Sequence, residues 1–215
     1  MTKAPRPRTR QPRQDRAAAT QERILQEALL LFSERGFDGA STRDLAQKLG
    51  INHALVNYHF GTKEALWQAA VHFLFDRLDR ELARPTEGEG LSAVEEFSQL
   101  VRRYVVYCAR FPEHARLMVQ ESMSDNPRIA WAAKSHIRPG HLRLETLLRK
   151  LIGEGLLPDV PPIQLIYALA AVCQASFMLQ HEIRQTHDLD AMADEFIESY
   201  AQTVLQLMLR HSPIN

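Results

Sequence analysis

One stretch constrains this chain more than any other: "STRDLAQKLGINHALVNYHF", residues 41–60. Two short runs with helical apolar spacing flank a single glycine. Ser41 stands where a helix N-cap belongs, and Asp44 follows three residues on, a spacing that resembles a capping box. Leu45, Ala46 and Leu49 form the apolar face of the first run, and Gly50 ends it. Leu55, Val56 and Phe60 serve the second, expected over residues 52–59. Glycine reaches the left-handed backbone that a sharp helix–helix turn needs. Alanine at 46 lets the two helices approach. The layout is that of a helix-turn-helix, whose second helix enters a major groove about 12 Å wide. The plainer alternative is a helical hairpin within a bundle.

The exposed chemistry favours the first reading. His53 and Asn57 are four residues apart and share a helix face. Either side chain can hydrogen-bond base edges, and Asn pairs bidentately with adenine. Tyr58, His59 and Lys63 can donate to phosphates. Thr42 and Arg43 occupy the first turn of the preceding helix, where hydroxyl, guanidinium and backbone N–H can hold a phosphate together.

Around this motif the chain reads as all-α, with about nine helices and no alternating strand pattern. Ile24, Leu25, Ala28, Leu29 and Phe32 recur at helical spacing from Thr20, and Gly36 sits where a C-cap glycine belongs. Thr62 is placed to cap a fourth helix over residues 63–83. The segment "RPTEGEG" breaks the pattern at 84–90. Helices are then expected over 91–110, from Pro112, from Pro127 to about Gly153, over 162–183, and over 190–210. Residues 160–181 carry no Asp, Glu, Lys or Arg, but Pro161, Pro162, Gln164, Gln174, Ser176 and Gln180 interrupt them. We read them as a buried or interface helix and expect no membrane partner.

The formal charge is zero over 215 residues, yet it is unevenly spread. Residues 1–66 hold 11 Lys+Arg and 7 Asp+Glu, a net of +4, while residues 67–215 hold 15 and 19, a net of −4. A positive end on a neutral molecule points to a polyanionic partner at that end. Residues 1–19 read as a basic disordered arm, and Arg6, Arg8, Arg10 and Arg13 are expected to reach a DNA backbone or minor groove. Cys108 and Cys173 form no CxxC pair, so neither a disulfide framework nor a zinc site is suggested, and a reducing cytoplasm fits. The chain contains no HExxH, GxSxG, P-loop or glycine-rich dinucleotide turn, so no enzyme, cofactor or metal is expected. A helical adaptor without DNA binding is the rival class.

The run "RILQEALLLFSERGFDGASTRDLAQKLGINHALVNYHFGTKEAL" resembles the DNA-binding domain of the TetR family of bacterial transcriptional regulators. An apolar first helix, "F…GF", "[ST]…[IL]A…G[VI]", an aromatic-His-aromatic end and "KE.L" carry the likeness. The resemblance implies a helix-turn-helix domain over 20–66, with its motif at 42–60, and a larger effector-binding and dimerisation domain over 67–215. It places DNA contacts on Thr42, Arg43, His53, Ala54, Leu55, Asn57, Tyr58, His59 and Lys63. Leu55 and Asn57 depart from the family's usual residues, which removes a phosphate contact and alters base preference. The resemblance further implies a homodimer, joined through the last two helices, that represses at a palindromic operator until an unidentified small-molecule effector releases it. The apolar segment 163–180 and the stripe Phe196, Tyr200, Val204 and Leu207 suit such an interface. An effector pocket is expected among Phe97, Tyr104, Met118, Met123, Trp131, Phe177 and Met178. The same residue types at helical spacing also make plain core.

Overall fold

The computed structural model describes residues 11–83 and 90–209, with side chains from residue 17 on. The described residues are helical, without a strand. The chain divides into two compact units, Met1–Phe73 and Leu74–Asn215. The boundary falls inside one helix, past the expected division at residue 66, because Ala70 and Val71 are still buried with the first unit.

The first unit contains α1 (Gln11–Gly39), α2 (Thr42–Leu49), α3 (His53–Phe60) and the start of α4 (Lys63–Leu82). Helix α1 begins well before Thr20, which corrects the expected extent of the disordered arm. Pro12 sits in its first turn, where a missing N–H costs nothing, and three alanines follow. Arg6, Arg8 and Arg10 lie outside the described residues, as does the side chain of Arg13. Gly36 breaks α1 at φ 69°, where the C-cap glycine was expected, and the chain then adds a further turn. Ile24, Ala28, Leu29 and Phe32 of α1, Leu45 and Ala46 of α2, Val56 of α3 and Leu66 of α4 are almost wholly buried. At about 25 cal/mol per Å² of apolar surface removed from water, a core like this is what holds three short helices together.

Local signals close each end. Ser41 Oγ accepts from the N–H groups of Arg43 and Asp44, at 3.2 and 3.3 Å. The reciprocal half of a capping box is replaced, because the Asp44 carboxylate takes a bond from Arg35 at 3.0 Å. Asn52 Oδ1 caps α3 through the Ala54 N–H at 2.9 Å. Gly50 ends α2 in the left-handed region, at φ 65° and ψ 31°. A Cβ there would meet nothing within 4 Å, so substitution strains only the backbone. Gly50→Ala is expected to cost about 1–2 kcal/mol of stability, and Gly50→Asn less, as read from urea midpoints. Equal midpoints for all three proteins would contradict this.

The second unit holds the rest of α4 and then α5 (Ala93–Arg110), α6 (Pro112–Ser122), α7 (Pro127–Ala132), a π turn (Ala133–Ile137), α8 (Arg138–Gly153), α9 (Pro162–Met178), α10 (Gln180–His187) and α11 (Asp194–Met208). The helices among the described residues agree with the about nine expected, with two of the expected rods subdivided, one at the π turn and one after Met178. Ser92 and Glu95 make a full capping box at the start of α5. Phe97, Val101, Val105 and Cys108 follow at spacings of three and four, so α5 buries one face against α6, α8, α9 and α11. No single described helix is long and apolar enough to cross a membrane; α9 and α10 pass that test only as a pair bent by 60°.

Within this unit lies a buried polar group that no sequence motif announced. Arg77 of α4 meets Glu113 of α6 at 2.6 Å, and its guanidinium lies 3.8 Å above the Phe111 ring. Tyr107 and His114 are 2.8 Å apart, hydroxyl oxygen to Nδ1. Burial, reinforced by the neighbouring Arg77 charge, pushes His114 down to about 3. Burial also raises Tyr107 well above the usual phenol range. Both groups are therefore held in their uncharged forms, and they share one proton across this contact. An unfolded chain takes up this histidine's proton near pH 6.5, whereas the folded one refuses it until about pH 3. Stability is thus full above pH 6.5 and falls as pH drops through that window, by about 2 kcal/mol between pH 6.5 and 5. Urea unfolding at the two pH values checks this, and His114→Gln should flatten the difference.

Candidate nucleic-acid interface

The two helices of the motif present their polar residues outward. On α3, Val56 points into the core, while Asn57 and Tyr58 are exposed, Tyr58 to 82%. Ala54 is also exposed, and His53, Leu55 and His59 are half-buried. His59 lies edge-on to Tyr58, with ring centroids 5.4 Å apart. On α2, Arg43 is exposed and Thr42 half-buried. Asn57, Tyr58, Ala54 and Arg43 are thus open to solvent, while Thr42, His53, Leu55 and His59 are only partly so.

Three of them are held differently from expectation. Thr42 Oγ1 and His53 Nε2 are 3.0 Å apart, which joins the first turns of α2 and α3. Nothing local signals this pair, since its members are eleven residues apart. Lys63 Nζ donates to the Asp38 carbonyl at 3.2 Å and sits 4.6 Å from the Phe37 ring centroid. Two of its three N–H bonds remain for another acceptor. The N–H of Arg43 is spent on Ser41, so Thr42 supplies the free N–H of the α2 first turn.

The charges around this surface are sorted. Asp44 is paired with Arg35, and Glu27 with Lys48, whose ammonium is held above its usual range mainly by that hydrogen bond. Asp44 and Glu27 are thereby offset, and Arg43 is in no ion pair among the described residues. Such exposed pairs contribute little stability; their effect here is on the local field.

None of the residues expected to line an effector pocket borders the described cleft of the second unit. Phe97 and Phe177 are fully buried in the second unit's core. Tyr104 packs against that core and accepts from Gln174 at 2.6 Å. Trp131 meets His136 edge-on at 5.5 Å, Met118 and Met178 are half-buried, and Met123 is 83% exposed. A cleft of about 420 Å³ lies instead between α5 and α11, walled by Arg102, Val106, Arg110, Ile197 and Glu198 among others.

The expected interface stripe on α11 is corrected as well. Phe196 and Tyr200 pack on the chain's own core, Tyr200 donates to the Val172 carbonyl at 2.6 Å, and Val204 is fully buried. Only Leu207 of the four faces outward, at 69% exposure. On α9 and just beyond, Ile163, Tyr167 and Leu179 are exposed.

Comparison with known proteins adds the following. A family profile described as bacterial regulatory proteins, tetR family, matches residues 24–70, and one described as tetracyclin repressor-like, C-terminal domain, matches residues 94–208. The chain is 36% identical over 58 residues to the biofilm operon icaADBC HTH-type negative transcriptional regulator IcaR of Staphylococcus aureus (strain Newman), covering 27% of this chain and 31% of that one. It thus spans about a third of that relative's length. It is 26% identical over 138 residues to the probable HTH-type transcriptional regulator YttP of Bacillus subtilis (strain 168), covering 64% and 65%. Its fold is like that of AibR, solved in complex with isovaleryl coenzyme A and operator DNA, with a TM-score of 0.70 at 16% identity over 87% of this chain and 97% of that one.

Proposed function

This chain belongs to the tetR family of bacterial regulatory proteins, and on that premise we propose that it is a ligand-responsive repressor that binds a two-fold DNA operator as a homodimer. It acts as a binding protein rather than an enzyme, in the cytoplasm. The observation that carries the reading is the outward display of Arg43, Asn57 and Tyr58 while Val56 anchors α3 in the core. Arg43 and Thr42 would grip phosphates at the start of α2. Asn57, His53 and Ala54 would meet base edges, and Tyr58, His59 and Lys63 would hold the flanking backbone. Leu55 is half-buried and offers only an apolar contact.

Exposed Ile163, Tyr167, Leu179 and Leu207 support a dimer joined through α9 and α11, because water-exposed apolar side chains on adjoining helices gain from being covered. Effector binding would shift the population toward dimers whose recognition helices no longer match the half-sites.

Selection of bound fragments from random duplex DNA tests this. The expected outcome is a palindrome whose half-site centres lie about one helical turn, 34–36 Å, or more apart. A dimer without salt-sensitive affinity for any duplex would instead establish an adaptor that does not bind DNA.

A further inference from the structure

Building on the DNA-binding reading, we propose that Thr42 positions His53 and sets its tautomer, so that gripping a phosphate and reading a base become one coupled step. Thr42 opens α2 and His53 opens α3, and their Oγ1 and Nε2 atoms lie 3.0 Å apart. A threonine hydroxyl has one proton to give and lone pairs to receive. In the free protein it satisfies the histidine either way, by donating to Nε2 or by accepting from it. A phosphate arriving at the α2 first turn removes that choice. The unused N–H of Thr42 and the exposed Arg43 draw the phosphate there, and the phosphate accepts the hydroxyl proton.

His53 Nε2 must then carry the proton and donate to Oγ1. In the tautomer with its single proton on Nε2, the ring has Nδ1 as its one remaining polar atom, and that atom is an acceptor. The half-exposed ring can exchange protons with water, so the tautomer can follow the phosphate. Hydrogen bonds in such a chain polarise one another, which stiffens the imidazole at the moment it meets the groove. Thr42 is therefore a positioning residue for base recognition as well as a phosphate ligand.

The test measures affinity for the selected operator and for all its single-base variants. It compares the wild type with Thr42→Val, Thr42→Ser, His53→Ala and the Thr42→Val, His53→Ala double variant. A well-made base contact discriminates by about 5- to 150-fold. Thr42→Val should collapse that ratio to below about twofold at the base pair His53 faces and leave the ratios elsewhere intact. His53→Ala should flatten the same position, and the double variant should flatten it no further. Thr42→Ser keeps the hydroxyl and should restore discrimination, which separates the effect from any disturbance of α2. Nitrogen-15 spectra of the ring, assigned by the signal lost in His53→Ala, should show Nε2–H in the operator complex.

A loss of affinity in Thr42→Val that is uniform across all sequences overturns the proposal, since Thr42 would then be a phosphate ligand only. So does an Nδ1–H tautomer in the complex. Either result leaves the DNA-binding reading intact, whereas a wild type without duplex affinity removes both.

Discussion

Replacing Arg43 with alanine is expected to weaken operator binding by about 150-fold to 20,000-fold at low salt. The side chain is exposed, and Asp44 within the motif is already matched by Arg35, as is Glu27 by Lys48. A charge-assisted hydrogen bond to phosphate is worth about 1.5–3 kcal/mol, and a dimer makes it twice, for about 3–6 kcal/mol in total. Each lost phosphate contact also lowers the slope of log affinity against log salt by about 0.9, so the variant dimer should be less salt-sensitive by about 2. Folding stability should stay within about 0.5 kcal/mol, because the residue packs against nothing that folding needs. Fluorescence titration over a salt series reads all three quantities. A loss of less than about fivefold with an unchanged slope would place phosphate recognition elsewhere on the surface.

The largest expected effect on stability belongs to Glu113. Its carboxylate and the Arg77 guanidinium are 2.6 Å apart, with the two side chains only 9% and 13% exposed. Removing one partner leaves the other charged and sequestered from water, which costs about 3–5 kcal/mol. Glu113→Ala should therefore lower the melting temperature by about 10 °C. Removing both charges is different in kind. Arg77→Met combined with Glu113→Leu replaces the pair with apolar volume, and much of the lost stability should return, since buried ion pairs and hydrophobic substitutes are often equivalent. Part of the loss should persist, because methionine cannot reproduce the guanidinium's place over Phe111. A double variant less stable than Glu113→Ala would show that the pair itself is a net source of stability.

The head of the molecule was largely legible. Ser41 and Gly50 act through neighbours within four residues, so their roles can be read along the chain. The body was legible as helices and much less so as surfaces. The stripe Phe196, Tyr200, Val204 and Leu207 has the period of a buried helix face, and period says only that something covers it. In the folded chain α5 and α9 cover most of it, and Tyr200 is fastened to Val172. The seven apolar residues expected around an effector were ambiguous for the same reason. Phe97 and Met123 differ little in chemistry, yet one is fully buried and the other is 83% exposed.

The start of α1 shows how composition can mislead. Arg and Pro suggested a disordered arm up to residue 19, whereas Pro12 is compatible with a first helical turn and the alanines after it propagate the helix. Read alone, then, the amino-acid order settled the helical class, the turn at Gly50 and the cap at Ser41. Those features depend on backbone conformations and spacings set within a turn or two. Folding in three dimensions decided that Thr42 meets His53, that Arg77 meets Glu113, that Lys63 reaches Asp38, and which apolar faces stay uncovered. Each of these brings together groups from different helices, and a helix's own periodicity carries no information about which neighbour its side chains will find.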